Sequence, residues 1–205
     1  MSCRIGIIDL GIGNVNSVRK AMSLMNTHSV ITSDADQIKH VDKLILPGIG
    51  HFQKAMQALG NLALSDILNE LVLQRKKPIL GICLGMQIMA TESEEGNTRG
   101  LGWLDARVVK FKNQTGRLKI PHMGWNSISR KNGSLILKDL SEQEEVYFTH
   151  SYHWETEKKD HVTGETEYGD WFASAIEKEN IFGVQFHPEK SHDPGLKLLQ
   201  NFVSL

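Results

Sequence analysis

One of the two cysteines of this 205-residue chain stands where it could act as a nucleophile. Cys83 lies between Gly81 and Gly85, after the apolar run 79–82 and before a helical pattern at 84–90. This order predicts a nucleophile elbow, a strand-to-helix turn in which the two glycines remove Cβ atoms that would collide. The thiol would then face the positive end of a helix, where thiolate is favoured. A lone cysteine in an apolar stretch is more often an inert core residue, so the prediction depends on finding a base.

A candidate base follows near the end of the sequence. The segment 181–186 predicts a buried strand that stops at Pro188, because proline cannot continue the hydrogen-bond ladder. His187 stands at this strand end, and Glu189, two residues on, can point to the same side of an extended chain. Imidazole can take the thiol proton, and the carboxylate can fix its tautomer and stabilise imidazolium. We therefore predict a catalytic triad of Cys83, His187 and Glu189.

Composition predicts a soluble α/β protein and adds little about the chemistry. With 40% hydrophobic residues, the chain can bury a full core, and we expect one domain over residues 1–205. The net charge of −1, from 23 basic and 24 acidic residues, indicates neither nucleic acid nor a membrane surface as partner. No apolar stretch approaches the roughly 20 residues of a membrane span, and no signal-peptide layout is visible. Cys3 and Cys83 cannot form a disulfide framework, so a cytoplasmic location is the expectation.

The alternation of apolar runs and helical patterns predicts an open, mostly parallel twisted sheet flanked by helices. Its later strands would form an antiparallel extension of the same sheet. Strands are predicted at 4–9, 29–31, 43–46, 79–82, 106–111, 146–150, 172–177 and 181–186. Helices are predicted at 15–25, 51–59, 64–75, 84–90 and 195–204, and the charged stretch 155–160 is predicted to be a solvated loop or hairpin. Such sheets bind ligands beyond the carboxyl ends of their strands, where Gly48, Cys83 and His187 all fall.

These motifs together resemble the class I (triad) glutamine amidotransferases, a family with a flavodoxin-like fold. The resemblance rests on the elbow at 81–87, on His187-Pro-Glu189, and on Pro47-Gly-Ile-Gly50. Within the family, the segments 121–126 and 190–191 are most similar to the glutaminase subunits of imidazole glycerol phosphate synthase, in histidine biosynthesis. The matching segments run from one end of the chain to the other. The resemblance implies that glutamine is hydrolysed to glutamate and ammonia through a thioester on Cys83.

Elbow geometry and the resemblance together assign an oxyanion hole. One donor would be the N–H of Leu84, the residue after the nucleophile. By resemblance, the second would come from the 47–50 loop at Gly50, where glycines on both sides of Ile49 make a peptide flip sterically easy. An ordinary strand-to-helix turn remains the alternative for this loop.

The resemblance also assigns residues to substrate and partner. Glutamine would be bound by Gln87, Glu95, His150, Ser151 and Tyr152, although Glu95 could equally be an exposed loop carboxylate. Asn14, Trp125 and Lys190 would lie at the docking face for a cyclase subunit with a (β/α)8 barrel, which receives the ammonia. No cofactor is expected. We also expect no metal, because His150 and His153 lack further spaced ligands.

Alternatives to this assignment remain open at the level of sequence. His153-Trp154 and Asp105-Ala106 depart from what is usual in the histidine-pathway subunits. Paralogues that supply ammonia to a sugar amidotransferase in surface-polysaccharide synthesis resemble the sequence almost as well. Two alternatives belong to other classes: a catalytically silent flavodoxin-like binding module, and a cysteine hydrolase or peptidase on a related fold. The intact triad argues against the first, and Gln87 with the Trp125 motif argues against the second.

Overall fold

Buried strands of branched aliphatic residues form a parallel sheet at the centre of the molecule. The computed structural model describes residues 3–113, 118–131 and 133–205. Every residue of β1 (Ile5–Ile8), β3 (Lys43–Gly48) and β4 (Ile79–Cys83) is buried. Parallel strands that are covered by helices on both faces have this continuous apolar character, whereas half-exposed strands alternate.

The other elements follow one another in short connections. The remaining strands are β2 (Ser29–Thr32), β5 (Glu92–Ser93), β6 (Thr98–Arg99), β7 (Arg107–Lys110), β8 (His122–Ser127), β9 (Ser129–Arg130), β10 (Glu145–His150), β11 (Tyr152–Glu155), β12 (Val162–Tyr168), β13 (Asp170–Lys178) and β14 (Ile181–Val184). The helices are α1 (Val15–Leu24), α2 (Ala35–Lys39), α3 (Phe52–Asn61), α4 (Leu64–Asn69), α5 (Leu84–Gln87) and α6 (His192–Val203). A π-helical turn, Glu70–Gln74, extends α4, and 3₁₀ turns cover Lys159–His161 and Pro188–Lys190.

The main sheet combines a parallel core with an antiparallel extension, as predicted. Its strand order is β2-β1-β3-β4-β14-β13-β11-β7-β5-β6, with β12 paired to β13 and β9 to β12. Neighbours from β2 to β14 are parallel. Beyond β14 the pairs are antiparallel, except that β5 and β7 run parallel. Because β3, β4 and β14 point the same way, their carboxyl ends meet at one edge.

One predicted strand does not belong to the main sheet. The segment 146–150 lies within β10, which pairs with β8 in a separate antiparallel ribbon. Phe148 of β10 packs against Phe172 of β13 and against Phe186, which follows β14, with ring centroids 5.9 and 5.7 Å apart. The ribbon therefore covers the sheet instead of extending it, because its buried aromatic face needs a partner layer. The prediction of one continuous sheet was wrong at this point.

Smaller differences concern segments with weak patterns. The helix α2 and the strands β5, β6, β8, β9, β11 and β12 were not predicted, and α5 is only four residues long. Residues 156–158 connect β11 to the 3₁₀ turn, and the charged residues from 155 to 160 are exposed, so the interpretation as a solvated loop holds for this connection. Among the helices of the described residues, none has the length and apolar character needed to cross a membrane.

Candidate active site

The elbow exists and is strained. Cys83 has φ 52° and ψ −109°, a conformation that residues with a side chain rarely adopt. Two glycines make this turn possible. A Cβ on Gly81 would lie 2.7 Å from the backbone nitrogen of Met86, inside the turn itself, and one on Gly85 would overlap the carbonyl oxygen of Leu46 in β3. The first glycine closes the elbow, and the second lets it press against the neighbouring strand.

The predicted base and its orienting group lie beside the nucleophile. Nδ1 of His187 is 2.8 Å from Oε1 of Glu189, and both side chains are 2% exposed. His187 Nε2 is buried and finds no well-aligned hydrogen-bond partner among the described residues, a common state of catalytic groups before substrate binds. Burial alone would lower the pKa of His187, but the charges and hydrogen bonds of Cys83 and Glu189 outweigh it and raise that pKa to about 10. The imidazole is therefore held as imidazolium, paired with Cys83.

The turn that carries the base is itself locked. Ser191 Oγ donates to the carbonyl of His187 at 2.6 Å and accepts from the N–H of Tyr147 at 3.0 Å. The N–H of His187 donates to the Tyr147 carbonyl at 2.9 Å. Since Tyr147 belongs to β10, these hydrogen bonds fix the turn that carries His187 to the ribbon.

A pocket of about 370 Å³ opens over the thiol and collects most of the predicted site residues. Its lining includes Gly50, Cys83, Leu84, Gln87, Glu95, His150, Ser151, Tyr152 and Lys190. Leu84 begins α5, so its N–H belongs to the first turn, where helical N–H groups have no acceptor within the helix. Gly50 has φ +96°, which a residue with a side chain would adopt only under strain.

Glu95 and the 150–152 segment have structural tasks in addition to lining the pocket. Glu95 Oε2 accepts from the N–H of Phe52 at 2.7 Å and so caps α3. The carbonyl of Ser151 accepts from the N–H of Phe111 at 3.1 Å. The carbonyl of Tyr152 accepts from Gln87 Nε2 at 2.9 Å and lies 2.7 Å from Nδ1 of His150.

A pair of neutral histidines supports the wall of the pocket. A carbonyl can only accept, so His150 Nδ1 carries the proton toward Tyr152, and Nε2 is left to accept from His122 Nδ1 at 3.2 Å. His122 Nε2 then faces Asn126 Nδ2 at 3.4 Å. Burial lowers the pKa of His122 to about 4, and burial also lowers the pKa of His150 well below its usual value.

Sequence reasoning missed both Gln185 and His122. Gln185 is fully buried, and its Nε2 lies 3.5 Å from Cys83 Sγ. A polar side chain inside the apolar run 181–186 was the available signal. For His122 the signal was its alternation with the exposed Met123 inside the 121–126 motif.

The three residues predicted to face a partner lie in different settings. Trp125 is 43% exposed, stacks on His192 with ring centroids 5.1 Å apart, and meets the ring of Tyr147 edge-on. Lys190 lines the pocket and places Nζ 5.7 Å from the centroid of the same Tyr147 ring. Asn14 caps α1, accepting from the N–H of Ser17 at 3.4 Å.

The departures from the histidine-pathway pattern lie away from the thiol, with Trp154 and Ala106 buried and Asp105 exposed. Trp154 is 2% exposed in the core, and His153 packs against Phe111 with ring centroids 4.6 Å apart. The carbonyl of Asp105 accepts from Thr156 Oγ1 at 2.7 Å. None of these residues belongs to the lining of the pocket over Cys83. Within residues 3–113, 118–131 and 133–205, no group of three His, Cys, Asp or Glu side chains is arranged to hold a metal ion. The absence of metal and cofactor stays a prediction.

A thiol on a strained elbow, a base at the next strand end and a pocket above them are what a triad amidotransferase requires, and the glutamine amidotransferase class-I family matches residues 7–205. The chain belongs to this family. Imidazole glycerol phosphate synthase subunit HisH 2 of Methanococcus maripaludis is 47% identical over 199 residues, covering 97% of this chain and 98% of that protein. The HisH subunit of Leptospira borgpetersenii is 42% identical over 203 residues, covering 98% of this chain and all (100%) of that protein. A crystal structure of a glutamine amidotransferase superposes with a TM-score of 0.75 at 18% identity, covering 98% of this chain and 99% of that one, a likeness of fold.

Proposed function

We propose that the chain is the glutaminase subunit of an imidazole glycerol phosphate synthase, which hydrolyses L-glutamine to glutamate and ammonia for a partner subunit. The observation that carries the proposal is the buried Cys83, His187 and Glu189 triad beneath a pocket lined by the residues expected to bind glutamine. Full-length relatives named as subunits of that synthase support the choice of pathway.

The reaction follows from the geometry of the triad. Cys83 Sγ attacks the side-chain amide carbon of glutamine, and the carbonyl π electrons move to oxygen. His187 gives its Nε2 proton to the departing nitrogen, which leaves as ammonia, and the thioester remains on sulfur. The neutral imidazole then takes a proton from water, whose oxygen attacks the thioester and releases glutamate. Glu189 holds the ring through Nδ1 in both halves of the cycle.

The oxyanion of each tetrahedral intermediate needs two donors. The N–H of Leu84 is supplied by the elbow. The second donor would be the N–H of Gly50, brought inward by rotation of the peptide between Ile49 and Gly50. The left-handed φ of Gly50 and the open space around its Cα support such a rotation.

The α-carbon end of glutamine would be held by Gln87 and Glu95, which line the same pocket as Cys83. Gln87 uses its Nε2 on Tyr152 and Gln185, which leaves Oε1 as its group able to accept from an ammonium. The carboxylate of Glu95 faces the same pocket and would add charge attraction. Both contacts favour an α-ammonium over an α-carboxylate as their ligand.

The proposed partner is a cyclase subunit with a (β/α)8 barrel. Ammonia released to water would be protonated and lose its nucleophilicity, so a receiving subunit must close over the pocket. Met123 and Trp125 are 62% and 43% exposed on one face of β8, and Lys190 reaches the pocket rim beside them. Exposed aromatic and long apolar side chains of this kind are typical of interface anchors.

Glutamate release and imidazole glycerol phosphate formation, measured with the purified cyclase, test the proposal. Cys83→Ala should abolish glutamine-dependent product, while added ammonium salt should still support the partner. Cys3→Ala, which removes the other cysteine, is the matched control and should change neither rate. Glutaminase turnover that survives in Cys83→Ala would refute the mechanism, and coupling only to a sugar amidotransferase synthetase would move the chain to the polysaccharide pathway.

A further inference from the structure

Gln185 is a buried polar side chain for which the triad mechanism has no task. It follows β14 directly, is fully buried, and its backbone N–H donates to the carbonyl of Ser174 in β13 at 2.9 Å. Its neighbours in the chain, Val184 and Phe186, are apolar core residues. A primary amide in such a setting is retained at a desolvation cost, so its contacts need an explanation.

A backbone carbonyl fixes the orientation of the Gln185 amide group indirectly, through the side chain of Gln87. The carbonyl of Tyr152 can only accept, so the group of Gln87 that lies 2.9 Å away must be its NH₂. The same Gln87 NH₂ lies 3.0 Å from Gln185, which must therefore present its oxygen there. The remaining group, the NH₂ of Gln185, is the one directed at Cys83 Sγ, 3.5 Å away. A reversed amide would place two donors face to face.

We propose that Gln185 is a positioning residue of the glutaminase reaction, which donates a hydrogen bond to Cys83 Sγ and stabilises the thiolate in the attacking direction. That the reaction is a glutaminase reaction rests on the proposed function, whereas the effect of Gln185 on the thiol does not depend on it. The Gln185 amide reaches sulfur from inside the sheet, and the charge of the His187 imidazolium at the strand end acts on the same atom. A lone pair of sulfur is thereby left to face the pocket.

The test measures the thiol directly, without glutamine or a partner. In a Cys3→Ser background, Cys83 is the one remaining thiol, and its alkylation by iodoacetamide is followed against pH. Gln185→Met keeps the length of the side chain and removes the donor. It should raise the pH at half-maximal reactivity by about one unit and slow alkylation at pH 7 about tenfold, as expected for one hydrogen bond to a charged group. Gln185→Glu, which places a carboxylate beside the thiolate, should raise that pH further.

A matched control separates positioning from packing. Asn201 is another buried amide, whose Nδ2 donates to the carbonyl of Ile136 at 3.1 Å. Asn201→Leu should lower the melting temperature, as Gln185→Met should, but leave the alkylation profile unchanged. A Gln185→Met profile that coincides with the Cys3→Ser profile would overturn the proposal and leave Gln185 as a packing residue. Displaced profiles in a chain that hydrolyses no glutamine would refute the proposed function and leave the thiol contact standing.

Discussion

The parallel core and the β8–β10 ribbon position their functional groups in opposite ways. In the core, the backbone positions the reactive group, because a strained turn and the absence of Cβ atoms at Gly81 and Gly85 orient Cys83. In the ribbon and the strand beside it, hydrogen bonds position the groups, because His122, His150 and the Tyr152 carbonyl orient one another.

The two regions therefore tolerate different changes. Positioning by the backbone is lost when a single atom is added where no space exists. Positioning by hydrogen bonds survives an exchange of atoms of similar shape, but it is lost when a donor, an acceptor or a protonation state changes. The following changes are expected to separate the two cases, in order of decreasing effect.

The largest effect is expected for the base that joins both regions. His187→Asn should lower glutamine turnover roughly 10³-fold or more while partner binding persists, since asparagine can still donate to Glu189. Because the folded pKa of His187 is raised to about 10, its stabilising contribution is complete below about pH 6.5 and is lost as pH rises through 10. The stability difference between wild type and variant should therefore shrink between pH 7 and 10. Steady-state kinetics and urea unfolding measure both, and a large loss of partner binding would make His187 structural.

Gly85→Ala tests the positioning of Cys83 by the backbone. The added Cβ would overlap the Leu46 carbonyl oxygen, and backbone cannot move aside cheaply, so we expect a loss of at least about 3 kcal/mol in the free energy of unfolding. Gly60→Ala in α3 is the control, because open space surrounds that position and alanine should stabilise the helix by about 0.5–1 kcal/mol. Equal stability of the two variants in urea would contradict a steric role for the elbow glycine.

His122→Phe tests the positioning by hydrogen bonds. Phenylalanine can keep the stacking on Phe148 and Tyr168. In the wild type the folded pKa is lowered to about 4 by burial, so the unfolded chain binds a proton first, and stability is lost as pH falls from 6.5 toward 4. Removing the imidazole should make the decrease in the free energy of unfolding at low pH smaller by up to about 3 kcal/mol. Loss of the hydrogen bond to His150 should lower the free energy of unfolding at pH 7 by about 1 kcal/mol. Urea unfolding at pH 7 and pH 4.5 measures both effects. His28→Phe, at an exposed histidine, is the control for the substitution itself, and an acid slope in His122→Phe equal to that of the wild type would show that the pair is not held neutral.

The smallest effect is expected at the outer face of the ribbon. Trp125→Ala should weaken binding of the proposed cyclase about tenfold or more, as loss of an aromatic anchor does, with little change in melting temperature. Trp171→Ala is the control, because Trp171 is 58% exposed on β13 and borders a different pocket. Equal affinities of the two variants in titration calorimetry would remove Trp125 from the docking face.

The sequence was informative where function depends on residues close together in the chain. The elbow needs only the 81–85 run, and the base and its carboxylate stand two residues apart, so their chemistry could be read directly. The ribbon could not be predicted, because the register of β8 against β10 joins segments separated by a stretch without clear pattern. Gln185 and His122 were missed for the same reason, since each acquires its partner across strands that only folding brings together. Glu95 shows a further limit, because its cap on α3 has no local signal.

The pairing of β4 with β14 has a consequence for how this protein can evolve. The two strands are adjacent and parallel, with Ile82 opposite Val184, so the strand ends that lead to the nucleophile and to the base are neighbours in the sheet. The chain between them builds the antiparallel extension and the ribbon, and none of those strands is inserted between β4 and β14. Insertions, deletions and exchanged loops in the intervening segments can therefore remodel partner choice and substrate access from lineage to lineage while the reacting pair is inherited unchanged.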